Sequence, residues 1–432
     1  MRVLFTSPIL EYPPAGGPAL RILNSIKALH RISALYVVSR AGRDQLGGDE
    51  AVDGVRARCR RFAFAPSAAD SAGRPAALPA RALDIARRGA RKVLRAAGVA
   101  PRSTDPLTAD ARYLVSYARR HRCRVIWFGY GNISHRLMLA VRQLAPGLKL
   151  VCDTDSVWSR FILRELPFEG DPVRRREIES TGRQKEEEER AWASFCDAIC
   201  AVSAVDADYY RSLGGEPAKV HVFPNAVDLD DYRDAPAPPA GFARPAICLA
   251  GTYLHPHSPM DRAARWLLED VLPLVRASVP AVHLYLIGRG SDRMWSHAAG
   301  PHVTVTGKVP SVLPYLRNAD VALVPLMFES GTRFKILEAG ACRVSVVSTT
   351  LGAEGLTVRD GEHLLIADTA EEFAAAILRL LRDDALRRAL ADRLRALVEA
   401  SYSLAALGRA GEQILEAVHA GMSARDEPRA GR

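Results

Sequence analysis

The chain has 432 residues, 48% of them hydrophobic, with 59 Lys and Arg against 49 Asp and Glu for a formal net charge of +10. That length exceeds a single core and points to two domains, and no apolar stretch reaches the ~18 residues that a membrane-crossing helix needs. The basic excess suits nucleic acid, anionic lipid or phosphorylated substrates, and the absence of zinc-finger spacing or an aromatic RNA-binding signature argues against nucleic acid.

In chain order, Arg2 to Ser7 is a short apolar segment that predicts a first strand rather than a signal peptide. A loop from Pro13 to Pro18 and an amphipathic helix from Ala19 to Leu29 follow. Strand, Gly-rich loop and helix open many Rossmann-like domains. The full Gly-x-Gly-x-x-Gly fingerprint and its acidic partner are missing, so no nicotinamide cofactor is expected. Gly16 and Gly17 either let backbone approach a ligand or serve a plain loop. Leu35 to Ser39 is a second strand, and Pro66 to Pro79 reads as an exposed loop. Ala80 to Ala97 predicts a basic amphipathic helix. It fits either an anionic membrane surface or, with its Ala stripe, the protein core.

A strand from Val125 to Phe128 leads into Gly129-Tyr-Gly-Asn-Ile-Ser-His135, where Asn132 and His135 are candidate ligand contacts, His135 also serving as a helix start. The strand from Leu148 to Cys152 ends in Asp153-Thr-Asp155, carboxylates placed to bind the hydroxyls of an acceptor, to hold a metal or to cap the next helix. Arg174 to Phe195 predicts a long charged helix whose Lys185-Glu-Glu-Glu-Glu-Arg190 run reads as a solvated face. Residues 1–235 form the first predicted domain and the Pro-rich stretch 236–245 the linker. A second α/β domain is predicted over 246–402, with Gly251, Gly288 and Gly307 ending successive strands. A last helix spans 403–421 and a polar tail 422–432. Seven scattered cysteines without Cys-x-x-Cys spacing predict reduced core residues of a cytoplasmic protein, and no metal site is expected.

The most informative stretch is Asp320 to Ser348. Val321 to Val324 predicts a buried parallel strand, Ser330-Gly331-Thr332 a turn, and the next residues a helix starting near Thr332. Arg333 and Lys335 place two cations at the helix end that favours anions, unfavourable by roughly 0.3–1 kcal/mol each unless an anion binds. A diphosphate would resolve that conflict, with Glu338 one turn on to accept from a ribose diol; the alternative is a surface turn with solvated cations.

Ser330-Gly-Thr-Arg-Phe-Lys-Ile-Leu-Glu-Ala339 followed by Val347-Ser-Thr-Thr-x-Gly-Ala-Glu-Gly-Leu356 resembles the donor-binding segment of family 4 glycosyltransferases. Ala201-Val-Ser-Ala-x-Asp206 and Phe223-Pro-Asn-Ala-Val-Asp228 carry the same resemblance into the first half. It implies the α/β GT-B fold, two Rossmann-like domains facing a central cleft. It implies a retaining, metal-independent, cofactor-free transfer of a sugar from a nucleoside diphosphate sugar to an acceptor hydroxyl. The acceptor would be a glycan, a lipid-linked glycan or a small molecule, as in surface polysaccharide assembly, with peripheral contact to an anionic membrane.

Arg333 and Lys335 would then stabilise the leaving diphosphate. Gly16, Gly17, Gly251, Val309, Ser330, Gly331, Thr332 and Glu338 would hold the donor, and Asn132, His135 and Asp153 would lie on the acceptor side. The family pattern places its first glutamate at Ser330, where Glu329 stands one residue early, and a His where this chain has Gly129. A GT-B nucleotide-sugar epimerase and a non-catalytic nucleotide-sugar binding protein are the rival readings.

Overall fold

The computed structural model describes residues 1–14, 16–69, 106–214, 216–253 and 255–426. The predicted basic helix over 80–97 lies outside the described residues. The first half holds a seven-stranded parallel sheet of β1 (Arg2–Ser7), β2 (Ala34–Ser39), β3 (Arg61–Phe64), β4 (Val125–Gly129), β5 (Lys149–Asp153), β6 (Ala198–Ala201) and β7 (Val220–Val222). The second half holds a six-stranded parallel sheet of β8 (Ala246–Ala250), β9 (His283–Ile287), β10 (Val303–Val305), β11 (Val321–Val324), β12 (Ser345–Ser348) and β13 (Leu365–Ile366). The central strands are apolar runs because helices cover both faces, so neither side of the pleat meets water. Val3 pairs with Leu35 on one side and Val125 on the other, all fully buried.

Strand order decides where a ligand can sit. The sheets run β3-β2-β1-β4-β5-β6-β7 and β10-β9-β8-β11-β12-β13. In each, the chain leaves its first strand in one direction, then crosses back to fill the other side. The crossover loops part at β1/β4 and at β8/β11, and such a switch point leaves a crevice beyond the carboxyl ends of the strands. The two crevices face each other across one cavity of about 760 Å³.

The chain crosses between the halves twice, side by side. Val227 donates to the Tyr402 carbonyl at 2.9 Å, and Val227 bridges Ser403. The helix Leu404–Asp426 then lies on the first half, where Leu407, Ile414, Leu415 and Val418 join the core of β1, β4 and the helix Gly17–Ile32. It runs past the expected end at residue 421, so part of the predicted tail is helical.

The helix Pro172–Phe195 corrects one reading. Its charged run is not uniformly solvated: Glu189 is buried and accepts from the Ser159 backbone N–H at 3.2 Å and from the Ser159 hydroxyl. Burial pushes its carboxyl up to about 7. A charge-period argument counts residues and cannot see that the helix Trp158–Leu163 packs over this turn.

Candidate functional site

The site is built where the loop after β11 meets the other half. Gly331 has φ +79°, and a Cβ there would sit 2.6 Å from the Asp155 carbonyl, so only glycine lets the halves touch at this point. Ser330 accepts from the Val157 backbone N–H at 3.2 Å. Thr332 accepts from Asn225 through both its hydroxyl, at 2.8 Å, and its carbonyl, at 3.2 Å. The helix begins just beyond this contact, close to the expected start near Thr332. It spans Phe334–Ala341, with Arg333 at its N-cap.

Arg333 is only 6% exposed. Its Nη1 donates to the Ser330 and Gly331 carbonyls at 2.7 Å each, while Nε and Nη2 are buried without a hydrogen-bond partner. Desolvation lowers its pKa, opposed by Glu329, Asp206 and Glu354. Lys335 is likewise depressed by burial, opposed mainly by Glu329. It lies beside Gly251 at the end of β8, where a Cβ would meet Met260 Cε at 2.6 Å and Lys335 Cε at 3.2 Å. Two desolvated cations at the start of a helix, one with two bare nitrogens, are chemically suited to an anion.

Glu338 stands one turn further along the same wall. Tyr232, in the segment joining the halves, donates to its Oε1 at 3.0 Å. Burial raises the Glu338 pKa, offset in part by Tyr232 and Lys335. Ser330, Thr332, Arg333, Lys335 and Glu338 line the cavity together with Gly16, Gly17, Gly251 and Val309. Gly16, at φ +93°, is the N-cap of the helix Gly17–Ile32, and a Cβ on Gly17 would lie 3.2 Å from Phe334. These residues come from four strand-end loops and converge because both switch points open on the same side.

Three expected acceptor-side residues are not brought to this cavity. Asp153 is fully buried and pairs with Arg21, while Trp127 Nε1 donates to it at 3.0 Å. Arg21 also donates to Asn225 at 2.8 Å, so the pair serves the contact with Thr332. Asn132 donates to the Ser156 carbonyl at 2.7 Å and accepts from the Asp155 backbone N–H at 3.3 Å, which clamps the loop after β5. His135 accepts from Trp192 Nε1 at 3.1 Å and, with Asn132, borders a separate pocket of about 290 Å³. None of the three lines the cavity itself; Asp153 and Asn132 instead hold residues that do, Arg21, Asp155 and Ser156, a division that residue type does not encode.

Sequence reasoning missed Tyr130, Trp158, Arg289 and Lys308, which all line the cavity, and gave Asp155 the same part as Asp153, although only Asp155 lines it. The Gly288-Arg-Gly290 triplet at a strand end was a readable signal for Arg289; nothing marked Tyr232. Among the described residues no three His, Cys, Asp or Glu side chains are grouped to hold a metal ion. All seven cysteines are buried and free. Among the described residues no helix is long and apolar enough to cross a membrane.

Known proteins share this fold. The model for glycosyltransferase family 4 matches residues 62–231 and the model for glycosyl transferases group 1 matches residues 244–383. The chain is 31% identical over 186 residues to a phosphatidyl-myo-inositol mannosyltransferase of Mycobacterium leprae, covering 41% of this chain and 47% of that protein. It is 33% identical over 147 residues to the lipopolysaccharide core biosynthesis glycosyltransferase LpsE of Rhizobium meliloti, covering 32% and 43%. The matches thus span about half the length of these curated relatives. Anabaena Alr3699/HepE in complex with UDP superposes with a TM-score of 0.63 at 14% identity, covering 96% of this chain and 100% of that one. Sucrose-phosphate synthase of Thermosynechococcus elongatus gives 0.65 at 17% identity, covering 98% and 100%. The fold is GT-B, with two parallel sheets set across a cleft. The chain belongs to the group 1 glycosyltransferases of the family 4 type.

Proposed function

We propose that the protein transfers a glycosyl group from a nucleoside diphosphate sugar to an acceptor hydroxyl with retention at the anomeric carbon. The observation that carries this reading is Arg333, a buried guanidinium with Nε and Nη2 bare at a helix start inside the cleft. A diphosphate supplies the oxygens those donors lack. Lys335 and the first-turn N–H groups add to the same field, and Glu338 takes a ribose hydroxyl on the oxygen that Tyr232 leaves open.

In the reaction, the acceptor oxygen bonds to the anomeric carbon as the bond from that carbon to the phosphate oxygen breaks on the same face. The hydroxyl proton passes to the leaving phosphate oxygen. Negative charge grows on the diphosphate as it departs, so Arg333 and Lys335 stabilise the transition state more than the bound donor. Fixed cations and helix N–H groups would do the work that a divalent ion does elsewhere. The bound UDP of the Anabaena neighbour and the mannosyl-transfer names of the curated relatives support a nucleotide-sugar donor and a glycan or glycolipid acceptor.

Thermal shift with UDP, GDP, TDP and ADP tests the reading, since a ligand at 100 times its Kd adds ~2.7 kcal/mol to stability. At least one nucleotide should raise Tm in the wild type and lose that effect in Arg333→Ala. No shift with any of them would refute the donor site.

A further inference from the structure

The opposite wall of the cleft carries a second arrangement. Tyr130 follows β4 in the left-handed region, with φ 59° and ψ 47°, which a bulky side chain adopts only when its surroundings hold it there. This backbone turns Tyr130 into the cavity at the β1/β4 switch point. Asp155 from the same half and Glu329 from the other line the cavity with Tyr130, and the negative charge of each acts on its phenol. Asp155 also accepts from Trp158 Nε1 at 3.1 Å.

The loop carrying Asp155 is rigid. Asn132 holds its backbone at both ends, and Tyr210 donates to the Ser156 carbonyl at 3.0 Å. The Asp155 carbonyl packs on Gly331, next to Arg333, and Asp155 lines the same cavity as Arg333. The Tyr130 and Trp158 rings meet edge to face, with centroids 6.2 Å apart, and Phe161 extends this aromatic wall along the cavity. Desolvation pushes the Asp155 carboxyl up to about 6, with the Tyr130 and Trp158 hydrogen bonds and the charge of Arg21 opposing.

We propose that Asp155, with Tyr130 beside it, is the seat of the acceptor hydroxyl, and that the acceptor presents a sugar ring to the wall of Trp158 and Phe161. The inference rests on the transfer reading above. Asp155 accepts the hydrogen bond of the incoming hydroxyl as the acceptor docks, with Tyr130 beside the carboxylate; when the bond from the anomeric carbon to the diphosphate breaks, that hydrogen turns to the departing phosphate oxygen, which takes the proton. An aromatic face beside a carboxylate fits a carbohydrate, whose C–H face packs on a ring while its hydroxyls need acceptors.

Saturation-transfer NMR with octyl mannoside and octyl glucoside, run with saturating UDP or GDP bound, tests this seat. The wild type should bind at least one glycoside. Asp155→Asn and Tyr130→Phe should each weaken that binding about tenfold, while nucleotide affinity stays within about twofold. Trp158→Phe keeps a ring and removes the donor to Asp155, and should weaken the glycoside in the same direction. The proposal is overturned if the nucleotide-bound wild type takes neither glycoside, or if the variants keep glycoside affinity. It is equally overturned if every variant loses both ligands together. A wild type that binds no nucleotide removes the donor reading, and this one with it.

Discussion

Arg21 and Arg333 are both buried guanidinium groups at the edge of one cavity, one from each half of the molecule. Arg21 is neutralised: Asp153 pairs with it, and Asn225 and the Phe223 carbonyl accept from it at 2.8 and 3.1 Å, which leaves only its Nε without a partner. Arg333 has no carboxylate against it, and two of its nitrogens are bare. A buried cation by itself is therefore no sign of a binding site. The unspent donor capacity is, because leaving it unmet costs free energy that a ligand can recover. The carboxylates repeat the contrast. Glu189 in the first half accepts twice from Ser159, whereas Glu338 in the second keeps an oxygen free beside Tyr232.

The comparison breaks most visibly at Asp153. Asp153→Ala leaves Arg21 uncompensated and should cost ~3–5 kcal/mol in denaturant unfolding, with little effect on diphosphate affinity. If affinity falls instead and stability holds, the two arginines have exchanged parts. Arg333→Ala should do the reverse, weakening nucleoside diphosphate binding by ~1.5–3 kcal/mol in calorimetry while stability stays level or rises.

Glu189→Gln reads the pH dependence. The folded carboxyl titrates near about 7 and the unfolded one near ~4.3, so the folded state holds the extra proton between these values. Wild-type stability therefore falls as pH rises from ~4 through 7, and a side chain that cannot ionise removes the fall. The variant should be more stable than wild type by ~1–2 kcal/mol at pH 8, with the gain shrinking toward pH 5. A gain that grows on acidification contradicts the sign. The smallest effect is expected for Glu338→Ala, a loss of ~1 kcal/mol in nucleotide binding with pyrophosphate binding unaltered. Equal losses for both ligands would take the ribose away from Glu338.

Much of the fold was readable before any tertiary contact was known. Apolar runs such as Val321–Val324 mark strands that are covered on both faces, and Gly251, Gly288 and Gly307 mark their ends. The stretch Ser330 to Glu338 stood out because its cations break the helix-end rule, and the structure places Arg333 and Lys335 in the wall of the cavity. Those are local properties: periodicity, the missing Cβ of glycine and the polarity of a helix end all reside within a few consecutive residues.

What lies on which side of a strand end does not. Asp153 and Asp155 are two residues apart, yet one is sealed against Arg21 and the other lines the cleft. Asn132 clamps a loop, His135 borders another pocket, and Tyr130 enters the cavity through an unusual backbone turn. Thr332, just ahead of the Phe334–Ala341 helix, is held by Asn225, 107 residues earlier in the chain. Sequence alone determined the elements and one cluster of charge. The packing of two sheets across a cleft decided which of the neighbouring side chains face the ligand space, because that choice is made by partners far away along the chain.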